Sequence, residues 1–212
     1  MKTLIVGNGS LSDHSILTRY HRWADLVIAA DGGLMHLKKA GLNSNVLLGD
    51  FDSVDLSELA KIKAQNNAEL ITFPKNKDYT DLELAANLAI ERGATEIVIL
   101  GASGTRLDHT TSNIHLLYKL LENSIKGYIE DEHNRVYLIR KSLTIEKQPD
   151  YKVSILPLPP VARGVTTRGL TYALADEDLI FGTGRGISNE FSDDTATISV
   201  KEGLLLVFVS RD

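Results

Sequence analysis

The first half of the chain is paced by short apolar runs, each closed by a turn residue. Leu4–Val6 runs into Gly7, Leu26–Ala30 into Asp31-Gly32-Gly33, and Val46–Leu48 into Gly49-Asp50. Leu70–Phe73 runs into Pro74, and Ile97–Leu100 into Gly101. Runs without polar alternation suit strands covered on both faces, the condition of a parallel sheet. Segments of helical period lie between them. The clearest spans Thr80 to Arg92, opened by Thr80 and Glu83 as a capping box and stopped by Gly93. Leu84, Leu88 and Glu91 share one side of it, and the leucines are expected to pack inward. Asp108 to Leu121 reads likewise, with Ile114, Leu117 and Leu121 as the inward stripe. Strand and helix in alternation predict a doubly wound α/β domain with a mostly parallel sheet.

Beyond about residue 125 the helical period disappears. Val136–Ile139, Lys152–Leu156, Gly164–Leu174, Thr195–Val200 and Leu204–Val209 read as strands. Leu156-Pro157-Leu158-Pro159-Pro160 reads as a turn or sheet edge, and Lys201-Glu202-Gly203 as a hairpin loop. This half predicts a smaller all-β domain, a β-sandwich. The expected division is 1–125 for the α/β domain and 126–212 for the β domain, with the junction placed between residues 122 and 135.

The 212 residues suffice for two small domains with real cores, and 43% hydrophobic with 24% charged residues is ordinary for a soluble globular protein. A net charge of −5 argues against a nucleic-acid partner. It leaves a phosphate substrate open, because a bound metal can supply positive charge locally. The absence of cysteine removes disulfides, zinc–thiolate sites and thiol nucleophiles. The opening apolar run is too short for a signal peptide, and no stretch approaches the roughly 20 apolar residues of a membrane helix. The expectation is a cytoplasmic protein with no membrane contact.

Ligands of an open parallel sheet sit beyond the carboxyl ends of its strands, and here those ends are acidic. Asp31 closes the second run, Asp50 and Asp52 the third; Asp78 and Asp81 follow the fourth, and Asp108 follows the fifth. Converging carboxylates repel unless a cation joins them, and their hard oxygens suit Mg²⁺ with substrate phosphates. Each segment also has a plainer reading. Asp50-x-Asp52 can be a solvated turn of capping acids, and Thr80 with Asp81 are good first-turn residues in any helix. Thr80 at a helix start equally leaves backbone N–H groups and a positive dipole end for an anion. Arg106, after the glycine-containing loop 101–105, can clamp two phosphate oxygens, and Asp108 can orient it, meet the nucleotide or cap the helix. His109 reads as a surface helical residue or a catalyst. Gly7-Asn8-Gly9 approaches a dinucleotide fingerprint without its third glycine, a weak signal. The Gly-rich stretch 182–191 is a hairpin loop, or its Ser188 and Asn189 offer hydrogen bonds to a heterocycle.

Taken in order, ADGG (30–33), GDFDS (49–53), KDYTD (77–81), GASGTRLDH (101–109) and GISNEF (186–191) resemble the signature set of bacterial thiamine pyrophosphokinases across nearly the whole chain. The resemblance implies transfer of the β,γ-diphosphate of ATP to the hydroxyl of thiamine, giving thiamine pyrophosphate and AMP, with Mg²⁺ as cofactor. It implies Asp50, Asp52 and Asp81 as metal ligands and catalytic acids, and Thr80 close to the phosphates. It further implies Arg106 and Asp108 on the nucleotide, Asp31 and Asp78 around the site, and Ser188 and Asn189 on thiamine. A homodimer is implied as well, with the thiamine site built at the subunit interface. One departure is Thr105, where the family has a second glycine before the arginine. A β-branched residue there is strained if the position needs positive φ. Rival readings are a pyrophosphokinase for a pterin alcohol, a metal-dependent glycosyltransferase using Asp50-x-Asp52, and a non-catalytic sensor on the same fold.

Overall fold

The computed structural model describes residues 1–50, 68–73 and 78–212. It divides into two compact units, Met1–Glu132 and His133–Asp212.

Among its described residues the first unit carries six parallel strands, β1 (Lys2–Val6), β2 (Leu26–Ala30), β3 (Val46–Gly49), β4 (Glu69–Thr72), β5 (Glu96–Leu100) and β6 (Lys126–Glu130). Their order is β4-β3-β2-β1-β5-β6. Among the described residues four helices connect them: α1 (His14–Trp23), α2 (Gly33–Lys39), α3 (Asp81–Glu91) and α4 (Leu107–Glu122). The apolar runs are explained by burial from both sides. Leu4, Val6, Val27, Ala29, Leu47, Val98 and Leu100 pack with Leu17 and Tyr20 of α1 and Leu34 and Leu37 of α2. The alternate residues Ile5, Ile28, Leu48, Ile97 and Ile99 are equally buried on the other face. There Leu120 of α4 lies against Gly127, where an added Cβ would stand 2.4 Å from its Cδ1. Each aliphatic side chain so buried contributes roughly 1.5–3 kcal/mol, so a polar alternation would forfeit half the core.

Two helix faces differ from the periodic reading. On α3 the buried residues are Leu82, Ala85, Ala86 and Ala89, with Leu84 and Leu88 only half-buried. On α4 they are Asn113, Leu116, Leu117 and Leu120, with Ile114 and Leu121 half-buried. Both helices are apolar over more than one stripe, and small side chains let α3 approach the sheet closely. The capping box is also half-formed. Thr80 Oγ1 accepts from the Glu83 backbone N–H at 3.2 Å, but the Glu83 carboxylate takes Lys119 Nζ of α4 at 2.7 Å. Strand β6, which extends the parallel sheet past residue 125, was not read from the sequence.

The second unit has two antiparallel sheets. One is β7 (Asn134–Ile139), β13 (Leu205–Ser210) and β9 (Lys152–Pro157), in the order β7-β13-β9. The other contains β8 (Ser142–Glu146), β10 (Val161–Arg168), β11 (Glu177–Ile180) and β12 (Thr195–Ser199), in the order β11-β10-β12-β8. Inward residues of both sheets, among them Val153, Ile155, Val207, Val209, Ala162, Val165, Ala196 and Ile198, share one core, so the unit is a sandwich. Strands β8 and β11 were not read from sequence because each offers a single buried residue, Ile145 and Leu179. The predicted strand 164–174 stops at Arg168. The chain turns at Gly169 (φ 73), and Leu174 folds back to pair with Thr167 in both directions. No described helix is long and apolar enough to cross a membrane.

Candidate active site

Strand β1 has β2 on one side and β5 on the other, so the chain order reverses there, and a crevice opens at the strands' carboxyl ends. It holds a cavity of about 400 Å³, lined by five elements. Asn8 and Gly9 come from the end of β1, Asp31 from β2, and residues Gly101–Arg106 from β5. Thr80 and Asp81 come from the start of α3, and His109, Thr110 and Asn113 from α4.

The floor is two loops laid backbone to backbone. Gly9 N–H donates to the Gly101 carbonyl at 2.7 Å and Ser10 N–H to the Ser103 carbonyl at 2.7 Å. Gly101 has φ 64, and a Cβ on it would lie 2.4 Å from the Gly7 carbonyl oxygen, so only glycine fits. Side chains then pin the second loop. Asn113 Nδ2 donates to the Ala102 carbonyl at 2.7 Å, Ser103 Oγ donates to buried Asp131 at 2.6 Å, and Gly104 N–H donates to Thr110 Oγ1 at 3.2 Å. A His36 ring nitrogen bonds the Gly9 carbonyl at 2.8 Å on the other side.

Asp31 sits in the left-handed region (φ 48), with its N–H on the Leu48 carbonyl and its carboxylate accepting from Asn8 Nδ2 at 3.4 Å. Short polar residues tolerate that backbone, and such strain collects at working sites. Gly32 leaves room for the arrangement, since a Cβ there would fall 2.0 Å from Asn8 Oδ1.

Arg106 is the residue before α4, and its side chain turns back onto Asp108. Nε meets Oδ1 at 3.2 Å and Nη2 meets Oδ2 at 2.6 Å. This hydrogen-bonded pairing brings the Asp108 carboxyl down to about 2 and raises the Arg106 guanidinium above its usual range. Both side chains are mostly exposed, at 69% and 64%, so the pair sets charge and orientation rather than stability. Thr105 is not among the described non-glycine residues with positive φ, so its β-branched side chain causes no backbone strain.

The structure thus brings Asp31, Thr80, Asp81 and Arg106 into one cavity. Asp50 follows β3 at the same edge of the sheet without lining the cavity, and Asp52 lies outside the described residues. Asp78 is exposed ahead of Thr80, and Asp108 stands beside Arg106 outside the lining. Among the described residues no three of His, Cys, Asp or Glu come together as a metal site. Ser188 and Asn189 belong to the second unit. Ser188 is exposed at φ 56 with its N–H on Ser154 Oγ. Asn189 is buried, and its amide accepts from Tyr172 N–H at 2.9 Å and donates to the Tyr172 carbonyl at 2.7 Å. Sequence reasoning passed over Asn8, Ser103, Thr110 and Asn113. For Asn113 a signal existed, a lone amide on the buried side of α4 beside Leu116, Leu117 and Leu120.

Residues 17–129 match the family model for the thiamin pyrophosphokinase catalytic domain, and residues 141–205 match that for the thiamin pyrophosphokinase vitamin B1 binding domain. The chain is 33% identical to thiamine pyrophosphokinase of Bacillus subtilis, with all of both chains covered. The crystal structure of thiamine pyrophosphokinase from Bacillus subtilis superposes with a TM-score of 0.88 at 30% identity, covering 100% of each chain. That of thiamin pyrophosphokinase from Geobacillus thermodenitrificans gives 0.86 at 30% identity, covering 100% of this chain and 98% of the other. Two family models in chain order and likeness over the full length mean that this chain belongs to the thiamin pyrophosphokinase family.

Proposed function

We propose that this chain moves the β,γ-diphosphate of ATP onto the primary hydroxyl of thiamine, releasing AMP, with Mg²⁺ as cofactor. The observation that carries the reading is the switch-point cavity, where Asp31, Asp81 and Arg106 meet a helix start and two closely packed glycine loops. The first unit would take the nucleotide and the metal. The second would meet thiamine, a role supported by its match to a vitamin B1 binding domain.

The donor set fits a hard cation. Its candidates are carboxylate oxygens, and the polar neighbour of Asp31 is the Asn8 amide rather than a cation. Asp50, Asp52 and Asp81 would hold Mg²⁺, which commonly takes one or two carboxylates with substrate phosphates. When bound, the ion supplies neutralisation of charge on the phosphate oxygens. The protein's own work is positioning. Thr80 and the first turn of α3 receive an anion at the positive end of the helix. Arg106, held in shape by Asp108, adds fixed positive charge. The thiamine oxygen bonds to the β-phosphorus as the bridging oxygen departs with AMP, and a carboxylate of the cluster takes the hydroxyl proton. The chain would work as a homodimer, a reading supported by exposed Tyr172, Ile180, Phe181 and Ile187 on the second unit.

The test is AMP release from ATP with thiamine, with and without Mg²⁺, together with detection of thiamine pyrophosphate. AMP formed only with both thiamine and metal is the expected result, and Asp52→Asn should remove most of it while the fold persists. Turnover with a pterin alcohol but not thiamine would overturn the substrate. Silence with both would overturn the enzymatic reading.

A further inference from the structure

Asn113 is 8% exposed and lies on the buried side of α4, yet it lines the cavity. Its amide is oriented by chemistry. Nδ2 stands 2.7 Å from the Ala102 carbonyl, and the reverse orientation would press two acceptor oxygens together. Oδ1 is therefore the free end of the group. No bond to it occurs among the described residues, and it is not among the fully enclosed polar atoms that lack a partner. The side chain is a buried amide with its donor spent on the loop after β5 and its acceptor left for whatever fills the cavity. Once a ligand covers it, an acceptor left unmatched is costly, so a ligand that supplies a donor is favoured over one that does not.

We propose that Asn113 is a specificity-determining residue that reads the nucleoside part of the bound nucleotide, accepting at Oδ1 a hydrogen bond from a ribose O–H or a base N–H. The inference rests on the nucleotide reading of the cavity. Ionised phosphate oxygens carry acceptors only, so they repel Oδ1 rather than bind it. The phosphates are met instead by the donors in the same lining, Arg106 and the backbone N–H groups at the start of α3. The nucleoside carries the neutral donors that an amide oxygen can take.

Equilibrium binding to the full-length protein, by calorimetry with Mg²⁺ present, tests this without requiring turnover. Four ligands are compared: ATP, its 2′-deoxy and 3′-deoxy forms, and purine riboside triphosphate, which lacks the 6-amino group. Wild type should bind one of the three donor-deleted analogues about 5- to 10-fold more weakly than ATP, the size of one neutral hydrogen bond. Asn113→Ala should weaken ATP binding and bind that same analogue as well as ATP. The isosteric Asn113→Leu gives the same comparison should the alanine variant prove unstable on thermal melting. A residue that merely pins the Ala102 loop would lower all four affinities by one factor and leave the discrimination in place, which overturns the assignment. Equal binding of all four by wild type overturns it too. Failure of wild type to bind ATP at all would overturn the nucleotide reading itself, a separate outcome.

Discussion

Arg106 reaches both oxygens of Asp108, and the contact holds the carboxyl at about 2 against an ordinary value of 3.8. A carboxyl lowered by folding contributes above its unfolded value and loses that contribution as pH falls through its folded one. The window here lies between about pH 4 and pH 2, so the arginine fork keeps its shape at every pH where phosphoryl transfer is assayed. A carboxyl-detected NMR titration should place the Asp108 midpoint near 2. In Arg106→Ala it should move up toward 3.8, with only a small fall in thermal stability near neutral pH because both groups are exposed. The sequence offered Asp108 three roles, orienting the arginine, meeting the nucleotide or capping the helix, and the first is the one the geometry displays. Asn189 shows the opposite case. It was legible as a hydrogen-bonding residue, but its amide is given to the Tyr172 backbone within the same unit, a partner 17 residues away. The rotamer that makes that bond is chosen by the folded loop, which no local pattern specifies.

The working parts at the level of elements are the two glycine loops after β1 and β5 and the starts of α3 and α4. The prediction here concerns Gly101→Ala. The new Cβ would meet the Gly7 carbonyl, and φ 64 alone costs an L-residue roughly 1–2 kcal/mol. The melting temperature and nucleotide affinity should therefore fall together. Gly104→Ala serves as the contrast. Its nearest neighbour to an added Cβ is 3.9 Å away, so stability should not change. Strands β1, β2, β3 and β5 were legible because burial on both faces leaves an unbroken apolar run. The inward faces of α3 and α4 were not, because each helix presents apolar residues around more than one stripe. Contact with the sheet and with the facing helix then selects Ala85, Ala86 and Ala89 over Leu84 and Leu88. Glu83 was legible as the third residue of a helix start, but Lys119 on the neighbouring helix takes its carboxylate.

The molecule consists of two units, each with its own core, and every described residue lining the cavity lies in the first. The second unit exposes Tyr172, Ile180, Phe181 and Ile187, apolar side chains that an interface between two copies of the chain would cover. Sedimentation equilibrium is expected to return twice the 23.3 kDa chain mass, and charged replacements at Ile180 and Phe181 should shift it toward the monomer. A wild-type monomer at micromolar concentration would remove the proposed assembly.

The amino-acid sequence by itself determined the alternation of strand and helix in the first unit as far as α4, the change to an all-β second unit, and the acidic carboxyl edge. Apolar runs, capping residues and glycines act within a few positions of themselves, so this information is local and can be read along the chain. Only the tertiary structure decided which of those residues share a cavity, that Asn113 pins the Ala102 carbonyl, and that Asp131 at the end of β6 holds Ser103. The first of these pairs is 11 residues apart and the second 28, on different elements. Such contacts depend on strand order and on the face each helix turns to the sheet, and these are settled by packing the whole core at once.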